Sequence, residues 1–198
     1  MKPLKLLDCF CGLGGVSRGF AAEGFECTGI EINPEIARLY PYRVIVADIL
    51  DLDGRDFRGY DVIWGSPPCR DFSRTTSFGW KYWRDPPNPE RGLRLVKHFL
   101  KFVEDAQPRI WIMENVPGLI KYLDIKPRFI GRLSRTMIRA FWGNFPDFLL
   151  PTCETKRLKQ DIQGPYRKWK RAMIPFPVAR AFARACKQKL IEEEACEP

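Results

Sequence analysis

The chain of 198 residues contains one histidine, no two cysteines at C-x-x-C spacing, no internal repeat and no low-complexity tract. Its seven cysteines are an odd number. These absences argue against a zinc centre and against a secreted disulfide framework, so no metal is expected and most thiols should be reduced core residues. No uninterrupted apolar segment approaches the ~20 residues of a membrane span. The N-terminal MKPLKLLDCF runs directly into a glycine-rich motif where a signal peptide would need a cleavage site. The chain is therefore expected in the cytoplasm of a prokaryotic or virally infected cell, with no membrane partner. At 45% hydrophobic and 29% charged residues it is neither disordered nor fibrous. One domain spanning residues 1–198 is expected, long enough to bury a proper core.

The net charge of +9 is localised. Residues 1–120 carry 16 basic and 16 acidic side chains and residues 172–198 carry four of each, whereas residues 121–171 carry 13 basic and four acidic ones. A solvated basic face is the ordinary reading of such a run. Here it is interleaved with Phe129, Phe141, Trp142, Phe145, Phe148, Tyr166 and Trp169. Cations mixed with aromatics suit a phosphate backbone and unstacked bases, so nucleic-acid contact is favoured.

Apolar runs and turn signals alternate along the first two thirds of the chain. LKLLDCF, FECTGIEI, RVIVADI, DVIWGS and RIWIMEN read as buried strands. VSRGFAAEG and NPEIARLY read as helices, the second with Asn33 as N-cap and Pro34 at its first position. Residues 92–104 read as a third helix, RDPPNPERG as a loop, and EEEACEP as a frayed tail. Strands alternating with helices imply a mostly parallel sheet covered on both faces.

In such a sheet ligands sit at the carboxyl ends of the strands. The first strand ends in Phe10-Cys11-Gly12-Leu13-Gly14-Gly15, a turn that lets the backbone approach a ligand although it lacks the full G-x-G-x-x-G pattern. Glu31 ends the second strand 17 residues after Gly14, near the offset at which an acidic group meets ribose hydroxyls. Asp48, ending the third, is placed to accept from an adenine amine. The series favours an adenosine-containing ligand. The fourth strand leads through Pro67 and Pro68 to Cys69, and the next ends in Glu114-Asn115-Val116. A thiol held by two prolines, with a carboxylate on the same sheet edge, is a constellation for covalent catalysis. His98 and the remaining cysteines read as structural.

In this order the motifs resemble those of the cytosine-C5 DNA methyltransferases. DCFCGLGG is similar to the cofactor motif, EINP to the ribose motif, ADI to the adenine motif, GSPPC to the catalytic Pro-Cys motif and ENVPGLI to the Glu-Asn-Val motif. IPFPVARAFARA resembles the proline-rich segment that completes the cofactor pocket. The resemblance implies a Rossmann-like class I methyltransferase fold, an α/β three-layer sandwich whose mostly parallel sheet includes one antiparallel strand. It implies S-adenosylmethionine as cofactor, held by Asp8, Phe10, Gly12, Gly14, Gly15, Glu31, Ile32, Asp48, Ile49 and Pro67. The implied substrate is a cytosine flipped from double-stranded DNA. Cys69 would add to carbon 6, Glu114 would share a proton with ring nitrogen 3, and Arg139 would meet the cytosine carbonyl. Arg70, Ser73, Arg74 and Asn115 would contact the nucleic acid.

A Cys at the fourth position of Ser66-Pro67-Pro68-Cys69 sets the chain apart from amine methyltransferases, which place an aromatic residue there. Three motifs depart from the family pattern. Arg70 stands where Gln is common, Arg135 and Met137 precede Arg139 where Gln and Arg are usual, and Arg171-Ala172 replace a Gly-Asn pair. Residues 121–171 form a short basic segment in place of a target-recognition domain, with too few residues for a separate one. Two alternatives stay open: a transfer-RNA-type cytosine-C5 methyltransferase, and a nucleic-acid-binding homologue with impaired turnover.

Overall fold

The computed structural model describes residues 2–73, 86–134, 137–151 and 164–196. Five apolar runs form strands β1 (Lys5–Cys9), β2 (Glu26–Glu31), β3 (Arg43–Val46), β4 (Val62–Gly65) and β5 (Ile110–Asn115). Two further strands, β6 (Phe129–Ser134) and β7 (Met137–Gly143), complete a sheet of order β3-β2-β1-β4-β5-β7-β6 among the described residues. Strands β1 to β5 pair in parallel, whereas β7 runs antiparallel to both β5 and β6. The mostly parallel sheet and its single antiparallel intrusion match the expectation.

Alternation along each strand sends neighbouring residues to opposite faces, and both faces are covered. Leu6, Val62, Trp64, Ile110, Ile112 and Phe141 join one apolar cluster with Val16 and Phe20 of helix α1 (Gly15–Ala21) and with Val178 and Phe182 of helix α5 (Phe176–Cys196). Leu7, Ile63, Met113 and Trp142 join the other with Phe99 and Phe102 of helix α3 (Pro89–Ala106). Three layers result. Trp64 and Phe182 meet edge-on at 5.0 Å, and Phe141 and Phe182 meet tilted at 4.9 Å, contacts worth about 0.5–1.5 kcal/mol each beyond area burial.

Helix α2 (Pro34–Ala37) starts as expected: Asn33 Oδ1 accepts from the Glu35 and Ile36 amides and Pro34 follows the cap. It is one turn long, shorter than the NPEIARLY pattern. Helix α3 begins at Pro89, inside the supposed proline loop, because Asn88 caps it by accepting the Arg91 amide and Pro89 fits a first helical position. The acidic C-terminus is not frayed through Cys196. It continues α5, and Arg109 fastens it by pairing with Glu193 at 3.1 Å and Glu194 at 3.0 Å.

The aromatics of the basic segment are also reassigned. Phe141, Trp142 and Phe145 are buried, Phe129 stacks on Phe141, and Phe148 packs on Phe182. They stabilise the sheet and α5 and are not available to unstacked bases. Among the described residues, no helix is long and apolar enough to cross a membrane.

Candidate active site

The carboxyl ends of the parallel strands bring the expected motifs to one edge. At β1 the chain turns through Phe10 (φ 62°), Gly12 (φ 52°) and Gly14 (φ 76°), three left-handed residues in five positions. Gly14 caps α1 while the Cys11 amide donates to the Ile30 carbonyl at 3.0 Å. Glu31 then joins two turns, its carboxylate accepting from the Gly12 amide at 3.1 Å and the Asn33 amide at 3.0 Å.

The expected cofactor residues divide into a lining and a support. Phe10, Gly12 and Asp48 are half-buried, Ile32 is 62% exposed, and Glu31 keeps 8% exposure between them. These form an open rim. Asp8 lies beneath it, wholly buried: it accepts from Ser17 Oγ at 2.5 Å, and Ser17 Oγ is 2.6 Å from Tyr40 Oη. Burial raises its carboxyl to about 7, with the Ser17 bonds opposing. Gly14 is packed by Tyr40 and Pro41, Gly15 by Met173 and Ile174, Ile49 is core, and Pro67 is buried. These five are packed within the protein and support the rim.

Two tethers position Cys69. Asn115 Nδ2 donates to the Pro67 carbonyl at 3.0 Å, and Gly118 comes so close to Phe72 that an added Cβ would overlap the Phe72 carbonyl oxygen. Asn115 is fully buried and clamps the Cys69 loop to the Glu114 loop. Cys69 begins a 3-10 turn over Arg70–Phe72 whose Asp71 pairs with Arg91 at 2.7 Å and accepts from the Asn88 amide. The Cys69 loop is thereby pinned to β5 and to the start of α3.

Glu114 and Arg139 meet at the β5–β7 boundary. Arg139 Nε is 2.5 Å from Glu114 Oε1, with side-chain exposures of 13% and 8%. The two side chains form a buried ion pair across the boundary of the two strands. Burial raises the Glu114 carboxyl, opposed by the Arg139 charge and a bond from Ser66. Burial likewise raises the Cys69 thiol, the Glu114 charge raises it further, and Arg139 opposes both. The three catalytic candidates thus form one electrostatic unit.

Arg70 and Ser73 are half-buried on the 3-10 turn and its end. Arg74, Arg135, Cys153 and the loop cations and aromatics from Trp80 to Arg84 lie outside the described residues. Sequence reasoning did not find the Ser17–Tyr40 support or the placement of Trp169 beside Gly12. Neither carries a motif, because each contact joins distant segments.

Residues 4–126 match the family described as C-5 cytosine-specific DNA methylase. The chain is 39% identical over 147 residues to the DNA (cytosine-5-)-methyltransferase M.ApeKI of Aeropyrum pernix, covering 61% of this chain and 30% of that one. It is 34% identical to the type II methyltransferase M.AplI of Arthrospira platensis, covering 70% and 39%. With M1.HphI of Haemophilus parahaemolyticus the identity is 32%, covering 63% and 36%. The chain spans about a third of the length of these relatives. A crystal structure of a protein encoded within an E. coli prophage superposes with a TM-score of 0.53 at 24% identity, covering 71% of this chain and 46% of that one, and shares the fold. With more than half its residues matched, this chain belongs to the C-5 cytosine-specific DNA methylase family.

Proposed function

We propose that the protein methylates carbon 5 of cytosine in DNA, using S-adenosylmethionine and a covalent bond between Cys69 and carbon 6. The observation that carries this reading is the convergence of Cys69, Glu114 and Arg139 into one charge-coupled site, fixed by the Asn115–Pro67 clamp.

The residues present fit the cofactor. Ile32 offers an exposed apolar surface beside Glu31, suited to a flat base next to a ribose-binding carboxylate, and Asp48 lies half-buried where β3 ends. Phe10 and Gly12 line the same rim. When bound, S-adenosylmethionine supplies an electrophilic methyl group on a sulfonium.

Carbon 5 of cytosine is too electron-poor to accept that methyl directly, so a nucleophile must first add at carbon 6. Cys69 loses its proton and its sulfur bonds to carbon 6. Glu114, held toward its protonated form by burial, donates to ring nitrogen 3 and stabilises the enamine. Arg139, held beside Glu114 by their ion pair, would direct its guanidinium to the cytosine carbonyl. After methylation, loss of the carbon 5 proton and cleavage of the carbon–sulfur bond return the thiol. Each step needs the base outside the duplex, at a cost of a few kcal/mol. Arg70 and Ser73, on the turn that follows Cys69, would hold the backbone of the opened strand.

Residues 121–171 act as the short basic segment in place of a recognition domain, and the preferred site is accordingly no longer than about four base pairs, each specified pair needing contacts worth ~1–3 kcal/mol. Bisulfite sequencing of DNA and RNA from cells lacking cytosine-C5 methylation tests the reading. Protection in DNA that disappears with Cys69→Ala is the expected result. Protection confined to RNA, or absent from both, would overturn it.

A further inference from the structure

Trp169 belongs to the basic segment, yet it is placed against the glycine turn. Gly12 has φ 52°, and a Cβ built there would lie 3.6 Å from Trp169 Cδ1. The indole therefore rests beside a residue that has no side chain of its own. The amide of Gly12 donates to Glu31, so Gly12 is the common neighbour of Trp169 and of the carboxylate assigned to the ribose.

The indole is held there by its helix, α4 (Arg167–Ala172). The Trp169 carbonyl accepts the Met173 amide at 3.1 Å. A Cβ built on Gly15 would lie 3.1 Å from Met173 Cβ and 3.2–3.3 Å from the Ile174 backbone, and Ile174 is buried in the core. The connection from Trp169 to the start of α5 is thus packed along the same turn that Trp169 touches. Trp169 itself is half-buried and belongs to neither apolar cluster, which sets it apart from the fully buried Trp64 and Trp142. A large aromatic ring that belongs to neither core cluster stands at the glycine turn of the rim. Its ring already accepts a cation, with the Lys168 ammonium 5.4 Å from the centroid.

We propose that Trp169 is a cofactor-contacting residue whose indole forms a wall of the S-adenosylmethionine site beside Gly12. The inference rests on the functional reading above and assigns to that site a residue outside every motif that identified it. It also moves the last aromatic of the basic segment from the nucleic acid to the cofactor. A half-buried ring beside a backbone turn adds contact area for an adenosyl ligand and excludes water from it.

Calorimetric titration of the full chain with S-adenosylmethionine and with S-adenosylhomocysteine, alongside tryptophan emission, tests this. Trp169→Ala is expected to weaken both ligands about tenfold, the equivalent of ~1.4 kcal/mol of lost contact. Trp169→Phe keeps a ring and is expected to bind within about twofold while losing the ligand-induced change in emission. That second variant keeps the test decisive if the alanine variant unfolds. Unchanged affinity in Trp169→Ala, or an emission change that persists in Trp169→Phe, overturns the assignment and leaves the functional reading standing. Failure of the wild-type chain to bind either ligand overturns the functional reading, and this inference with it.

Discussion

Arg139 Nε lies 2.5 Å from Glu114 Oε1, joining the antiparallel strand to the carboxyl end of the last parallel one. The pair is nearly closed to solvent, so removing one partner leaves the other's charge uncompensated, a loss that costs several kcal/mol in buried pairs. Arg139→Ala is expected to destabilise the chain by about 3 kcal/mol at pH 8. Burial already raises Glu114, and loss of the opposing guanidinium raises it further. A raised carboxyl contributes its stability below the unfolded value and loses it as pH rises, so the defect should shrink toward pH 5, where Glu114 takes up a proton. Urea denaturation at both pH values checks this; an equal deficit at the two would sink it.

The same coupling sets the reactivity of Cys69. Burial is the main reason its thiol is raised, and the Glu114 charge adds to it. Glu114→Gln removes that second cause. A lowered thiol makes thiolate more abundant, but a less basic thiolate is also a weaker nucleophile, so the rate gains less than the thiolate fraction does. Iodoacetamide labelling of the Cys69 peptide at pH 7.5 should therefore be faster in Glu114→Gln and slower in Arg139→Ala. Slower labelling in Glu114→Gln would refute the coupling.

Asp8 offers a separate pH handle. Its carboxyl is raised from 3.8 to about 7 by burial. The folded state consequently binds the proton more tightly than the unfolded chain. The contribution to stability is present below about pH 4 and lost as pH rises to 7, a change on the order of 4 kcal/mol. Asp8→Asn keeps the shape and an acceptor for Ser17 without the charge. Its stability should fall less than that of the wild type between pH 5 and 8. Parallel curves for the two proteins would show that Asp8 is not the titrating group.

Much of this was legible in the sequence where one physical signal dominated. Strands β1 to β5 read correctly because each is an apolar run bounded by turn residues, and Asn33-Pro34 announced a helix start by cap chemistry alone. The β6–β7 hairpin was hidden by its own composition. Ile130, Arg132 and Ile138 face outward while Gly131, Leu133 and Ala140 are buried, so isoleucines on the exposed face and a glycine on the buried one blurred the polar–apolar alternation of the strands. At the site, Cys69 and Glu114 were found because motif chemistry is local. Asn115 as a clamp, Asp8 under Ser17 and Tyr40, and Trp169 beside Gly12 are products of packing between distant segments, which spacing does not reveal.

Gly19 shows how closely that packing constrains the chain. It lies in α1 facing α5, and a Cβ placed on it would sit 2.5 Å from the Arg180 nitrogen and 2.6 Å from the Ala179 carbonyl carbon. Both neighbours are backbone, so neither can move aside as a flexible side chain would. In an exposed helix, Gly→Ala would gain about 1 kcal/mol in propensity. Here the overlap must separate two helices that share Phe20, Val178 and Phe182 in one core, and overpacking of this kind costs about 1–3 kcal/mol. Gly19→Ala is therefore expected to lower stability despite its better propensity, and Gly19→Val to lower it more. Because α5 follows directly from Ile174, which packs on Gly15 of the glycine turn, ligand affinity should fall along with stability. Thermal melts with and without S-adenosylhomocysteine measure both effects, and a stabilised Gly19→Ala would contradict the close approach of the two helices.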